Sequence, residues 1–317
     1  MQKIGNITTT ADANGEWTNG NVAAGTPPTI LDAAWLNTVQ RELASVVTGG
    51  GLVLDPTNDA QVLAALKLLI KGGVTGVVGE ARNAKMSVTT ASATATFTAD
   101  ELIVGTALGG LQYRIGSFSK TINLATNGAG GMDTGSAPAS GYVALYAIYN
   151  PTTGTSALLA VNATAAVAPT VYGGANMPAG YTASALISVF GTNASGLIKP
   201  FIQAGRHIDI PATGVFSSTT KTTVNLPTSL ATAVPRNAIS FDMVGNLGSD
   251  TQTGITANLY ADNVVGTGQH QWGSSLAWGV VTTFYAVSIS VAQTIYYNFS
   301  SSSGTLSISI SVSGYSF

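Results

Sequence analysis

In residues 306–313 every second position is apolar (Leu306, Ile308, Ile310, Val312) and every other is serine. This is the two-residue period of a strand with one core face and one hydroxyl-bearing face. The same alternation runs through Val287, Ile289 and Val291, interleaved with Ser288 and Ser290, and then through Ile295, Tyr297 and Phe299. From about residue 86 onward, short runs of this kind are separated by clusters of Gly, Asn, Pro and Ser, a pattern that predicts short antiparallel strands in sandwiches or barrels. Residues 142–149, 157–161, 183–190 and 197–202 are the clearest strands of the middle segment. Asn150-Pro151-Thr152-Thr153-Gly154 reads as the turn between the first two.

The period changes near the N-terminus. Leu36, Val39, Leu43 and Val46 recur at spacings of three and four, which predicts a helix over 31–47 with an apolar seam, stopped at Gly49-Gly50-Gly51. The seam lasts barely two heptads, so it suits helices held together by a neighbouring domain rather than an independent coiled coil. A second helix is expected over 59–70, after Asp55-Pro56 and the cap candidates Thr57 and Asn58. The two helices can pack on each other as a hairpin, bundle between subunits, or both. Residues 1–28 read as an extended arm ending at Pro27-Pro28.

These periods divide the chain into an arm (1–28), a helical region (29–85), a middle β domain (86–211) and a C-terminal β domain (212–317). The fold class expected is mainly β with a small α-helical N-terminal region: arm and helices, followed by two antiparallel sandwich-like domains, intertwined or packed as a homotrimer.

Composition sharpens this picture. The 317 residues are 45% hydrophobic but only 8% charged, against about a quarter in an ordinary soluble domain. Half of the charged residues fall in the first 85 positions, none lies between Thr134 and Ile198, and none follows Asp262. Uncharged alternating strands invite edge-to-edge pairing unless they close or are covered by another subunit. A net charge of −2 without a Lys/Arg run gives no electrostatic footprint for nucleic acid. Disulfides and thiolate metal sites are excluded because there is no cysteine. No secretory signal pattern follows Met1, so synthesis in a cytoplasm is expected. No run approaches the roughly 20 apolar residues of a membrane helix, and membrane insertion is not expected.

Candidate chemistry is sparse. The two histidines, His207 and His270, lie in different segments, and the only carboxylate within five residues of either is Asp209. No metal ion or cofactor is therefore expected. Asp242, Asp250 and Asp262 share the C-terminal segment and could supply carboxylates for a glycosidase pair, but each stands beside turn residues, and the turn-anchor reading is the favoured one. No Gly-x-Ser-x-Gly elbow or phosphate loop is present, and an enzyme is not expected. The densest aromatic and polar stretch holds Tyr260, Asp262, Asn263, His270, Gln271, Trp272 and Trp278 among glycines. Rings beside amides suit neutral sugars or a protein epitope; either tryptophan is also suited to plugging a core.

The opening residues add something that periodicity cannot. Lys3-Ile4-Gly5, then Thr10-Ala11-Asp12-Ala13-Asn14-Gly15-Glu16-Trp17-Thr18, Gly20-Asn21-Val22, Gly25-Thr26-Pro27-Pro28-Thr29, Ala34-Trp35-Leu36-Asn37 and Gln40-Arg41-Glu42-Leu43, in that order, resemble the N-terminal region of tail-fibre proteins of tailed bacteriophages and prophages. Leu54-Asp55-Pro56 with Gln61-Val62-Leu63-Ala64-Ala65-Leu66 extends the likeness to about residue 70. Met177-Pro178-Ala179-Gly180-Tyr181 is similar to a β module of phage fibres, with Thr182-Ala183-Ser184 standing where that module often has basic residues. The resemblance implies a homotrimer joined to a tail tip or baseplate protein through its N-terminus. Trp17, Trp35, Leu36, Val39, Leu43 and Val46 would then serve virion attachment and trimerisation. The distal end would bind a bacterial surface receptor (polysaccharide, pilus or outer-membrane protein) without catalysis. A depolymerase that cleaves surface polysaccharide, and a structural spacer whose recognition lies on another chain, are the alternatives.

Overall fold

The computed structural model describes residues 2–72 and 76–317. It divides into two compact units, 1–74 and 75–317.

The first unit is helical. Helix α1 (Ala33–Gly49) begins where the Asp32 carboxylate accepts the Ala34 N–H at 2.7 Å, an N-cap that satisfies one of the orphan donors of the first turn. It ends at Gly50, whose N–H returns to the Val46 carbonyl. Helix α2 (Gln61–Gly72) follows. The helices touch where Gly50 meets Ala65, and a Cβ at Gly50 would stand 2.8 Å from the Ala65 Cα, so that contact depends on glycine.

The arm expected to be extended is folded instead. Asp12 accepts the Asn14 and Glu16 N–H groups, Gly5 N–H reaches the Gly15 carbonyl, and the Thr10 hydroxyl accepts the Ile30 N–H. Turn-forming Asp, Asn and Gly residues outnumber the two prolines here and set the local geometry. Trp17 packs edge-on against Trp35, ring centroids 5.4 Å apart.

The second unit is a β structure in which every described strand pairing is antiparallel. Its strands are β1 (Ala81–Arg82), β2 (Lys85–Val88), β3 (Thr94–Gly105), β4 (Gln112–Asn123), β5 (Tyr142–Asn150), β6 (Thr155–Asn162), β7 (Ala183–Gly191), β8 (Phe201–Ala204), β9 (His207–Ser218), β10 (Thr222–Ser229), β11 (Ser240–Tyr260), β12 (His270–Ser288), β13 (Thr294–Ser301) and β14 (Leu306–Ser316). They form one continuous open sheet in the order β10-β13-β11-β14-β9-β8-β2-β3-β7-β5-β6, with β1 and β4 on β3 and β12 on β11.

The 142–149 and 183–190 strands appear as β5 and β7, buried on both faces and therefore read as continuous apolar runs. The hairpin turn from β5 to β6 is built as expected, with the Asn150 side chain accepting the Thr152 and Thr153 N–H groups and Gly154 at φ 72°. The boundary expected at 211/212 falls inside β9, which pairs with β8 through residues 207–209 and with β14 along its length. The two β regions share a sheet because β9 serves both.

Strand β14 buries Leu306, Ile308, Ile310 and Val312, as its alternation predicts. Burial of each such side chain contributes roughly 1.5–3 kcal/mol. Against β11, Asp242 pairs with Gly314 and Met243 with Val312, which leaves Ser313 as an extra residue on β14. This bulge reverses the inside–outside phase, so Tyr315 turns into the core while Gly314 and Ser316 turn away. The Tyr315 hydroxyl donates to the Val189 carbonyl on β7 at 2.7 Å, in a buried contact between segments far apart in sequence. Tyr315→Phe removes that bond at little change in volume. Denaturant unfolding is expected to show a loss of about 1–2 kcal/mol with an unchanged m-value.

Candidate functional site

Strands β11 (21 residues) and β12 (19 residues) form a long ribbon whose register shifts between Gly248 and Ile255. The first half of β11 lies against β14 and the second half against β13. The ribbon bends at this break, and Trp272 at one end of β12 meets Phe284 near the other, ring centroids 5.9 Å apart. The bend separates residues that the sequence groups together.

Trp272 is 5% exposed and packs against Gly245, Phe284 and the Met243 region, so it belongs to the core. His270 lies 5.0 Å from the same Phe284 ring. Its partial burial lowers the imidazole pKa below the ordinary value. Trp278 is 62% exposed. It stands in a run of outward apolar side chains, Leu276, Trp278, Val281 and Tyr285, on an edge strand without a charged residue.

Asp262 anchors the loop between β11 and β12. Its Oδ1 accepts the N–H groups of Val264, Val265 and Gly266, and its Oδ2 accepts that of Thr267. The Thr267 hydroxyl and these backbone donors hold the carboxyl far below the usual carboxylate range. The loop presents exposed Asn263, Val264 and Val265.

Gln271 takes part in an amide row across four strands. Asn258 Oδ1 accepts from Gln269 and Gln271, each at 2.9 Å; Asn258 Nδ2 donates to Asn298, and Asn298 Nδ2 donates to Asn225 and, at 3.4 Å, to the Tyr260 hydroxyl. Asn225, Asn258 and Asn298 escape sequence reading because they come together only through the pairing of β10, β13 and β11. The row satisfies its own buried members, which makes it a strand clamp.

A groove of about 630 Å³ lies in this region, with the serines of β14 along it. Ser307 and Ser309 line it together with Ser217, Ser218 and Asn246, and Val280 and Val281 supply an apolar side. Trp278 immediately precedes the groove residue Gly279. Hydroxyls and an amide beside an apolar strip can hydrogen-bond and stack on a neutral polyhydroxylated ligand.

A second polar cluster was not foreseen. His207 and Asp209 lie two residues apart on β9, Gly314 pairs with Asp209 on one side, and Asp242 pairs with Gly314 on the other. His207 Nε2 is 3.3 Å from Asp209 Oδ1 and 3.3 Å from Asp242 Oδ2. Among the described residues this is the group whose donor atoms converge closely enough to hold a metal ion. The spacing His-x-Asp, which puts both side chains on one face of a strand, was the available signal.

Of the N-terminal set, Trp17 and Trp35 are brought into contact, and Leu36 and Leu43 are exposed while Val39 and Val46 are half-buried.

The two tryptophans give opposite expectations. Trp272→Ala is expected to cost about 3–5 kcal/mol in denaturant unfolding and Trp278→Ala no more than about 0.5 kcal/mol. For Asp262, whose folded pKa is depressed, stabilisation is complete above the unfolded value and is lost only as pH falls through the folded one. A carboxyl-carbon NMR titration is expected to show Asp262 still ionised at about pH 3, where an ordinary Asp is mostly protonated. Asp262→Ala is expected to accelerate amide exchange at Val264, Val265, Gly266 and Thr267. No protein-family model matches this chain, and no curated protein matches it in sequence.

Proposed function

We propose that the chain is a tail-fibre protein of a tailed bacteriophage or prophage, located in the virion, which attaches the particle to a bacterial surface by non-enzymatic binding. The observation that carries this reading is the β12 edge: a long uncharged strand with Leu276, Trp278, Val281 and Tyr285 directed outward, beside a hydroxyl-lined groove. Monomeric soluble proteins rarely leave such a strand uncovered and without gatekeeping charge, and exposed apolar patches mark contact surfaces. The groove suits polysaccharide, and the exposed edge suits a pilus or an outer-membrane protein as well.

The helices support the oligomeric half of the proposal. Leu36 and Leu43 on α1, and Leu63, Leu66, Leu69 and Ile70 on α2, remain exposed after the two helices have packed on each other. A homotrimer in which these faces meet would bury them and bring weak binding sites together in one particle. In the C-terminal region, the rings of Phe216 on β9 and Tyr297 on β13 meet at a tilt of 45° with centroids 4.2 Å apart, and the ribbon ends meet through Trp272 and Phe284; these contacts favour a sandwich-like arrangement of the strands after residue 211.

The depolymerase alternative requires a carboxylic acid with a raised pKa. Asp250, hydrogen-bonded first by the Thr305 N–H, and Asp262, bonded first by the Thr267 hydroxyl, are both shifted downward. Each carboxylate is also committed to backbone donors, Asp242 to the Ala286 N–H among them.

Fluorescently labelled full-length protein is expected to bind bacteria susceptible to the phage and to reduce adsorption of the virion. Trp278→Ala together with Tyr285→Ala is expected to weaken that binding at least tenfold without changing the unfolding midpoint. Release of reducing ends from purified surface polysaccharide would favour the depolymerase, and an absence of cell binding would favour the spacer. Light scattering is expected to give three times the chain mass, falling to the chain mass in Leu36→Glu/Leu43→Glu.

A further inference from the structure

We propose that His207, Asp209 and Asp242 form a binding site for one divalent transition-metal ion of the zinc class, which ties β9 to β11 across the C-terminal strand β14.

The site arises from strand periodicity. His207 and Asp209 project from one face of β9, opposite to the buried Ile208. Ile208, Tyr315 and Phe241 form one cross-strand row in the core; Asp209, Gly314 and Asp242 form the next, on the other face. Gly314 in the middle of that row is what allows the flanking side chains to lean together. A Cβ there would stand 3.1 Å from His207 Nε2 and 3.3 Å from Asp242 Oδ2, at the edge of the space between the three groups.

The donor-atom distances, which are also those of a long hydrogen bond or ion pair, match the spacing of ligands around a bound ion. Bonds of about 2.0–2.1 Å to a tetrahedral ion place neighbouring ligand atoms about 3.3–3.4 Å apart. Both Nε2–O separations are 3.3 Å, and the three donor atoms all lie within 4.8 Å of one another. An imidazole N–H donating to a carboxylate usually comes closer, about 2.7–2.9 Å, and one N–H cannot point along both directions.

The surrounding contacts hold the ligands in place as outer-shell partners do in metal sites. His207 Nδ1 lies 3.0 Å from Ser316 Oγ, its cross-strand neighbour, and a proton on Nδ1 directs the Nε2 lone pair at the carboxylates. Asp242, 7% exposed, has its Oδ1 fixed by the Ala286 N–H at 2.8 Å, leaving Oδ2 for the ion. Asp209, with a side chain 62% exposed, leaves the site open to water on one side. One imidazole and two carboxylates give a nitrogen–oxygen set suited to Zn²⁺, while the nitrogen and the small number of ligands disfavour Ca²⁺ and Mg²⁺.

Chelator-treated full-length protein titrated with Zn²⁺ in a calorimeter is expected to bind one ion per chain, and excess Zn²⁺ is expected to raise the thermal midpoint. Ca²⁺ or Mg²⁺ in place of Zn²⁺ is expected to bind at least a hundredfold more weakly. Asp209→Asn, at an exposed position that leaves folding intact, and Gly314→Ala, which fills the space while keeping all three ligands, are each expected to weaken Zn²⁺ at least tenfold. His270→Gln is expected to bind like the wild type. Absence of saturable one-to-one binding, wild-type affinity in Asp209→Asn, equal binding of Mg²⁺ or Ca²⁺, or loss of the ion in His270→Gln would each overturn the proposal.

Discussion

The insertion of β14 between β9 and β11 is the constraint on which the rest of the β unit depends. A strand near the end of the sequence becomes an interior strand of the sheet, between two strands that both precede it in the chain. Through β9 it is continuous with β8, β2 and the doubly buried β5–β7 pair; through β11 it reaches β13, β10 and β12. The Ser313 bulge then turns Tyr315 inward to Val189 and leaves the next row facing outward. Arg206 completes the join, its guanidinium 4.4 Å above the Phe317 ring and its Nε donating to the Phe317 carbonyl. Pairing of β14 with both neighbours closes loops of long sequence separation, so it carries a high entropy cost and belongs late in folding.

Charge scarcity explains the kind of polar chemistry found. A sheet of this size needs solvated faces, and here serine, threonine, asparagine and glutamine supply them. Neutral hydroxyls and amides are satisfied by one another or by water without the desolvation cost of a buried charge. That permits a row such as Gln271, Asn258, Asn298 and Asn225 to run across four strands. The few charged groups in the C-terminal half have structural tasks: Asp262 gathers four backbone N–H groups, Asp250 takes that of Thr305, and Asp242 takes that of Ala286. Large apolar side chains nevertheless remain outward on β12 and on the two helices.

Local features were legible in the sequence, and features made by pairing were not. Helix α1 could be placed within two residues because its period and its terminal glycines agree, and the Asn150 turn and the core face of β14 followed from local chemistry alone. Folding of the arm was missed because, beside the local turn at Asp12, the bonds that close it join residues ten to twenty apart, as Gly5 to Gly15 and Thr10 to Ile30 do. Within the candidate site, Asp262 had a readable alternative as a turn anchor. Trp272 and Trp278 could not be told apart, since six residues of strand preserve the face only when the strand is regular, and β12 is interrupted. The His207 cluster lacked its third member until β14 aligned Asp242 with Asp209 across Gly314.

An alternating Ile–Ser strand poses a problem of register. A slip of one residue would turn its apolar set outward, but a slip of two leaves Leu306, Ile308, Ile310 and Val312 facing the core with serines still on the other side. Core burial alone therefore specifies the face of β14 and not its position. Position must come from residues that do not repeat. Ser313 supplies a bulge that fits opposite Asp242 and Met243; Tyr315 has one buried carbonyl within reach; and Gly314 is the residue of β14 over which His207 and the two aspartates can converge. A two-residue slip would place Val312 or Ser316 in that row, put a side chain among the carboxylates, and draw the Tyr315 hydroxyl away from Val189. The same polar positions that make the cluster chemically distinctive are thus the ones that give an otherwise repetitive strand a single place in the sheet.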